Sequence, residues 1–520
     1  MGALPVMAAP VSESVATQLS DAASEGPAAL LNALDAAISA NPALVGTPDS
    51  AASLADAAAR PVLTFRGNNL PVYRSIVARI ADAAPPAVRA AVAEAATRAV
   101  SAVVALEPPP SLPSARVSEG AEEGAPATTG ATGALGDSQQ PPQVRRQRTL
   151  GYDVGSFVLY PELLVAGYWD DNIFATPTNE RIDRVAVFAP TLYLNSDWDK
   201  HALNFEVGTD VVRYEDFSSE NSIDYDLSGE GRYDIDDDTE VFGGLAYGRD
   251  HEDRDSPDDV NGLEPTIYRN TTAYLGAYHA FAGISVRGGI DVDRLDFDDT
   301  PAAAVVFNND DRDRTRYSVG GRLSYALTDV IQPFVQGTVD IRTYDTAVDD
   351  FGFDRDSTGV RVMSGMTARI TGKLSAEAAV GYMRRDYDDI LLEDFSEMAF
   401  SGSVYWRPIP STVLSGWTDR TIEETTLIGS PGYVLSSYGA EVEYQIIRNL
   451  FATLRASYAE SDFESSTRTD RETSLGGGIR YLINSNYFVG ADYRYQKRDS
   501  ENSAADYVRN QIFIRFGVQY

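Results

Sequence analysis

The residues best equipped for chemistry gather in YGRDHEDRDSPDD, where His251 stands beside Asp250, Glu252 and Asp253. A histidine oriented by a carboxylate is the minimum apparatus for general-base catalysis. Only three histidines exist, however, and His201 and His279 fall at the opposite ends of strand-like segments. No nucleophile signature accompanies any of them. His251 therefore reads as a solvated loop side chain, and no catalytic residue is assigned. The acidic stretches DRDSPDDVNG, NNDDRDRTR and YDTAVDDFGFDRDS offer the hard oxygen ligands that calcium takes. None has the D-x-[DN]-x-[DN]-G spacing with a distal Glu. They read as a solvated acidic rim that repels anions and favours cations, and neither a metal nor a cofactor is expected.

There is no cysteine, which removes disulfides, thiolate metal sites and cysteine nucleophiles. A formal charge of -34 argues against a nucleic-acid partner, whose backbone needs clustered Lys and Arg. The only lysines are Lys200, Lys373 and Lys497. No apolar run approaches the roughly eighteen residues of a spanning helix. The 28 Tyr, 20 Phe and 41 Gly fit strands and turns better than a helical enzyme.

With 520 residues the chain exceeds one ordinary domain, and its composition changes near residue 150. The first 150 residues hold 16 of the 26 Pro, no Lys, and 10 Arg against 13 acidic residues; the rest carries 33 basic against 64 acidic ones. Four regions are expected. Residues 1–11, with LPVMAAP, resemble the end of a secretory signal with a small-residue cleavage site; the alternative is a floppy alanine-rich terminus. Residues 12–106 contain PAALLNALDAAISANPAL, SAASLADAAAR and PAVRAAVAEAATRAVSAVVAL, alanine-rich segments broken by Pro. These predict short helices in a loose module that needs a neighbour to be well ordered. Residues 107–150 are rich in Pro, Gly, Ser and Thr and read as a linker.

From 151 to 520 the elements that must position every charged group are strands. Eight short turns, from Asp199-Lys200 to Asn484-Ser485, alternate with nine longer acidic loops, and these seventeen connections join eighteen strands. Alternation is strict in many of them. Leu203, Phe205, Val207 and Val211 oppose Asn204, Glu206 and Asp210; Tyr438, Ala440, Val442, Tyr444 and Ile446 oppose Glu441, Glu443 and Gln445. So many strands cannot all turn a charged face to water while packing a conventional core. The fold class is all-β: a closed antiparallel transmembrane β-barrel of about eighteen strands, with lipid outside and a wet lumen inside, preceded by the helical region and linker. Short turns on one side and long loops on the other place the amino-terminal region and the carboxyl end on the periplasmic side of an outer membrane. Tyr168, Trp169, Trp198, Tyr247, Tyr405, Trp406 and Trp417 are candidates for interfacial girdles. Lumen-lining candidates are Glu441, Glu443, Arg455, Arg480, Asp492, Arg494 and Arg515. Facing basic and acidic ladders would set a transverse field across an aqueous channel, or pair and stiffen the wall.

Residues 151–520 resemble the Putative beta-barrel porin 2 family of proteobacteria, on GYWDDNIFATPTNERID at the first hairpin, HEDRDSPDD, NNDDRDR and VGADYRYQKRDS before the last strand. The resemblance does not cover the helical region. It implies a channel for hydrophilic solutes or for capsule or exopolysaccharide export, with a periplasmic export complex as a partner. The alternative is a structural or adhesive barrel with a plugged lumen and acidic loops that bind divalent cations or surface polysaccharide. Ile514, Phe516, Val518 and Tyr520 look like the signal read by the barrel assembly machinery. Outer-membrane lipid and lipopolysaccharide are the other expected partners.

Overall fold

The structure, a computed structural model, describes residues 11–24, 26–64, 70–104, 151–302, 306–371, 373–427 and 429–520. Except for Val11, the expected signal remnant lies outside the described residues, as does the linker.

Five helices come first: α1 Glu13–Ser24, α2 Pro27–Ala40, α3 Pro48–Ala59, α4 Leu70–Ala83 and α5 Arg89–Val104. Proline at the first turn starts α2 and α3, and the Thr47 side chain accepts from the Ser50 backbone N–H at the head of α3. Leu30, Leu34 and Ile38 bury one face of α2 at a spacing of four. Alanines 51, 55, 58 and 59 on α3 and 95 and 96 on α5 are buried, so these helices approach closely without large side chains. An Arg79–Asp35 ion pair ties α4 to α2. The core of the bundle is completed by Val158 and Tyr160 from the first barrel strand, with Tyr193 packed against it. The module predicted to need a neighbour has one.

Eighteen strands of 12 to 15 residues follow, from Phe157–Asp170 to Tyr507–Gln519. Each pairs antiparallel with its successor, and the ring closes between first and last, from Glu162↔Gln519 to Asp170↔Gln511. Closure joins the strands edge to edge, the condition for strands to cross hydrocarbon, with a short seam: Phe395–Trp406 and Thr412–Glu423 pair only from Ser401↔Asp419 to Trp406↔Leu414. A lead strand, Tyr152–Val154, folds back on Phe157–Leu159, and a two-stranded hairpin, Thr300–Pro301 with Val306–Phe307, decorates one long loop. Among the described residues, register shifts occur only at Arg369/Thr371 and Gln445/Ile447, each beside a short turn.

The outward face is apolar at alternate positions. In the last strand Ile512, Ile514 and Phe516 are exposed to the exterior, Ile514 at 70 %, while Gln511 and Phe513 on the alternate positions are buried inside. Inward glycines are covered by neighbouring rings: a Cβ on Gly439 would fall 2.0 Å from Trp417, and one on Gly517 1.9 Å from Phe488. Of the girdle candidates, Trp169, Tyr247 and Trp406 are exposed on the outward face. Tyr168, Tyr405 and Trp417 share the inward parity instead, and Trp198 packs edge-on against Phe157 beside a short turn. Aromatic type does not choose a face; the register does.

Candidate functional site: the inward wall and the loop that crosses it

All seven lumen candidates lie on the inward face, on five adjacent strands from Tyr433–Ile447 to Tyr507–Gln519. Glu441 and Arg455 are directly opposite in register, and two guanidinium nitrogens reach one carboxylate oxygen at 2.7 and 3.0 Å. Arg515 grips Asp492 at 2.7 and 2.8 Å, Arg480 stands 3.4 Å from Glu443, and the Arg494 guanidinium sits 5.7 Å from the Phe513 ring centre. Pairing on the inward face describes this sector. Ile514 and Phe516, by contrast, face outward.

The adjoining sector holds a second ladder that the sequence reading did not single out. Arg322 makes a two-pronged bond to Glu377 at 2.8 and 2.9 Å, Arg316 reaches Asp293 at 2.6 Å, and Arg361 reaches Asp419 at 3.0 Å. Arg385 donates to Asp340. The same alternation was available in RTRYSVGGRL and STGVRVM. The two-pronged Arg322–Glu377 pair, between strands three apart in the ring, fixes side-chain direction as well as charge. Beside this ladder the inward face turns apolar: Phe334, Met363, Met383, Phe395 and Ala399 form a buried cluster, and the Arg322 guanidinium lies 3.5 Å from the Phe334 ring centre. The lumen wall is therefore not polar throughout.

The loop between strands Thr239–His251 and Ile267–Phe281 departs most from expectation. Read as part of a solvated rim, it instead enters the barrel, with Glu252, Asp255 and Ser256 buried. Its partners lie far around the ring. Asp255 stands 3.5 Å from Arg509 of the last strand, accepts from Gln496 at 3.4 Å, and its carbonyl accepts from Arg498. Asp258 Oδ1 accepts from the Thr425 hydroxyl and the Thr426 N–H, both at 2.8 Å, and Arg468 donates to the Pro257 carbonyl at 3.4 Å. Two ion pairs brace the root, Arg254–Glu220 at 2.7 Å and Arg312–Glu252 at 2.9 Å. The segment thus spans the lumen near its long-loop mouth.

Burial changes how this loop titrates. It pushes the Asp253 carboxyl up to about 6, helped by the charge of Asp255, and the Asp259 carboxyl up to about 7 although Arg254 is adjacent. On the wall, Arg509 is shared between Asp170 at 2.7 Å and Asp255, and Gln511 donates to the same Asp170 oxygen at 2.9 Å. His251 is not a solvated loop residue: its Nδ1 lies 3.0 Å from Asp224 Oδ2. Asp224, Asp250 and His251 are the one group of three among the described residues with donor atoms close enough to share a metal ion. His201 stacks on Tyr233, and His279 bonds the Thr239 hydroxyl.

Residues 147–520 match the family described as Putative beta-barrel porin 2. Among curated proteins none matches. Similar solved structures include OccK3 (OpdO) of Pseudomonas aeruginosa, 12 % identical, covering 69 % of this chain and 96 % of that one at a TM-score of 0.38. A BenF-like porin from Pseudomonas fluorescens Pf-5 is 10 % identical over 70 % and 99 % of the two chains, TM-score 0.39. OccAB3 of Acinetobacter baumannii is 10 % identical over 71 % and 100 %, TM-score 0.39. Likenesses this remote carry no argument about cargo.

Proposed function

This chain belongs to the Putative beta-barrel porin 2 family, and from that premise we propose that its outer-membrane barrel passes small hydrophilic solutes down their gradients. The observation that carries the reading is the loop 252–266, anchored across a closed ring of eighteen strands whose inner face is charged. A passage restricted by that loop and the arginine ladder would suit ions and small polar molecules. A growing polysaccharide would first have to displace the loop. The acid-rich mouth favours cations over anions. Catalysis has no part in this reading, since His251 is held by Asp224 without a nucleophile signature beside it.

One observation favours a second reading in which the periplasmic mouth is capped. Val158 and Tyr160 face inward near the short turns, yet they are buried in the helical core. The helical region then sits in the periplasm, over the lumen. Single-channel recording in planar bilayers separates the two. Open steps from the full chain support the channel; steps that emerge only when residues 1–150 are deleted support the cap; silence from both chains defeats the channel.

A further inference from the structure

The outward wall is not symmetrical from end to end. In its long-loop half, Arg184, Arg269, Arg294, Arg384, Arg471 and Lys497 all face outward, each within three residues of the loop end of its strand. Arg213 and Arg249 share that level and donate to strand carbonyls. In the half toward the short turns, no described strand carries Lys or Arg on its outward face; Tyr233, Phe281, Tyr325, Trp406 and Tyr481 stand exposed there. The belt lies directly above exposed apolar residues of the same strands: Val286 and Ile290 precede Arg294, Val380 and Tyr382 precede Arg384, and Leu475 and Ile479 follow Arg471. At about 3.3 Å per residue, these charges stand where hydrocarbon gives way to headgroups.

We propose that this belt binds the phosphate groups of the phosphorylated glycolipid in the outer leaflet, lipopolysaccharide. The basic residues are held in place by neighbouring carboxylates: Arg269 by Asp298 at 2.8 Å, Arg294 by Asp345 at 2.7 Å, Arg471 by Glu501 at 3.0 Å. A guanidinium carries five donors in a fixed fork, so the carboxylates that orient it, Asp296 with Asp298 on Arg269 and Glu460 with Glu501 on Arg471, still leave donors for phosphate oxygens. Seven of the eight belt cations are Arg, the residue whose fork matches phosphate. Inward-facing arginines cannot serve the lipid, and in the apolar half of the wall there are none outside. The assignment rests on the long loops facing the exterior of the cell.

The test uses the full chain, purified in detergent and incubated with rough-type lipopolysaccharide, with the same glycolipid after dephosphorylation, or with phosphatidylglycerol vesicles, and then read by native mass spectrometry. Three proteins are compared: wild type, R269Q/R294Q/R384Q, and the short-turn control K200Q/R448Q. Wild type and control should retain the phosphorylated glycolipid equally and the triple variant at least about fivefold less, with little retention after dephosphorylation. If the triple variant fails to migrate as a folded barrel, R269K/R294K/R384K keeps the charge, removes the fork, and should still lose part of the retention. Equal retention by all variants overturns the proposal, and equal retention of phosphatidylglycerol overturns its assignment to glycolipid. Orientation is checked separately: Ser465→Cys should react with an impermeant maleimide on intact cells, whereas labelling of Ser485→Cys alone would invert the barrel without touching the channel reading.

Discussion

The two faces of the barrel use the same side chains for different ends. Inside, Arg322, Arg361, Arg455 and Arg515 lie at several depths, each aimed at an inward carboxylate one or three strands away. Outside, basic residues crowd one end, pair mostly with neighbours at the rim, and leave the rest of the wall to Val, Ile, Leu and aromatic rings. A guanidinium can sit at any level of a watered lumen, but on the outside it is tolerated only where water or headgroups reach it. The strand period converts one residue of register into the choice between these solvents.

Exchanging the faces should break the contrast most severely. Ile514→Arg places a charge in the lipid-facing band and should cost about 2–4 kcal/mol if it sits at mid-bilayer depth, measured by urea unfolding from liposomes. Arg322→Ala removes the two-pronged partner of Glu377 on the inner wall, where about 1–3 kcal/mol is expected in the same assay. Arg384→Gln, at the exposed outer belt, should leave the unfolding midpoint in phospholipid unchanged, since exposed ion pairs contribute little. A midpoint lowered as far as in Arg322→Ala would erase the distinction between the ladders.

Proton uptake sharpens the comparison of loop with wall. Asp253 and Asp259 have raised values, about 6 and about 7, in the packed loop. A carboxyl whose folded value is raised binds more protons folded than released, so the packed loop is penalised above those values and relieved as pH falls through them. Conductance should therefore fall, by about twofold, between pH 8 and pH 5. A rise on acidification would contradict the loop's place in the lumen.

Much of this was legible in the sequence, for reasons that mark where legibility ends. Eight short turns and nine long loops appear where turn residues and period-two alternation put them, because both signals are local. The Glu441–Arg455 pair follows from two adjacent strands read in register. The inward loop did not announce itself: DRDSPDD has the composition of a solvated segment, and the residues that bury it, Arg498 and Arg509, are over two hundred positions away. Nor could composition tell that Trp417 faces Gly439 inside while Trp406 faces out. The helical core was incomplete in its own segment, because Val158 and Tyr160 supply part of it.

The cysteine-free chain allows the central claim, hydrocarbon outside and water inside a closed ring, to be tested one residue at a time. Single cysteines placed at 491 to 494 of the strand Tyr487–Ser500, in liposomes, should react with a water-soluble maleimide at the inward, partly open positions Asp492 and Arg494 and be shielded from it at the outward positions Ala491 and Tyr493. Reaction without that two-residue rhythm, or shielding at every position, would contradict the account.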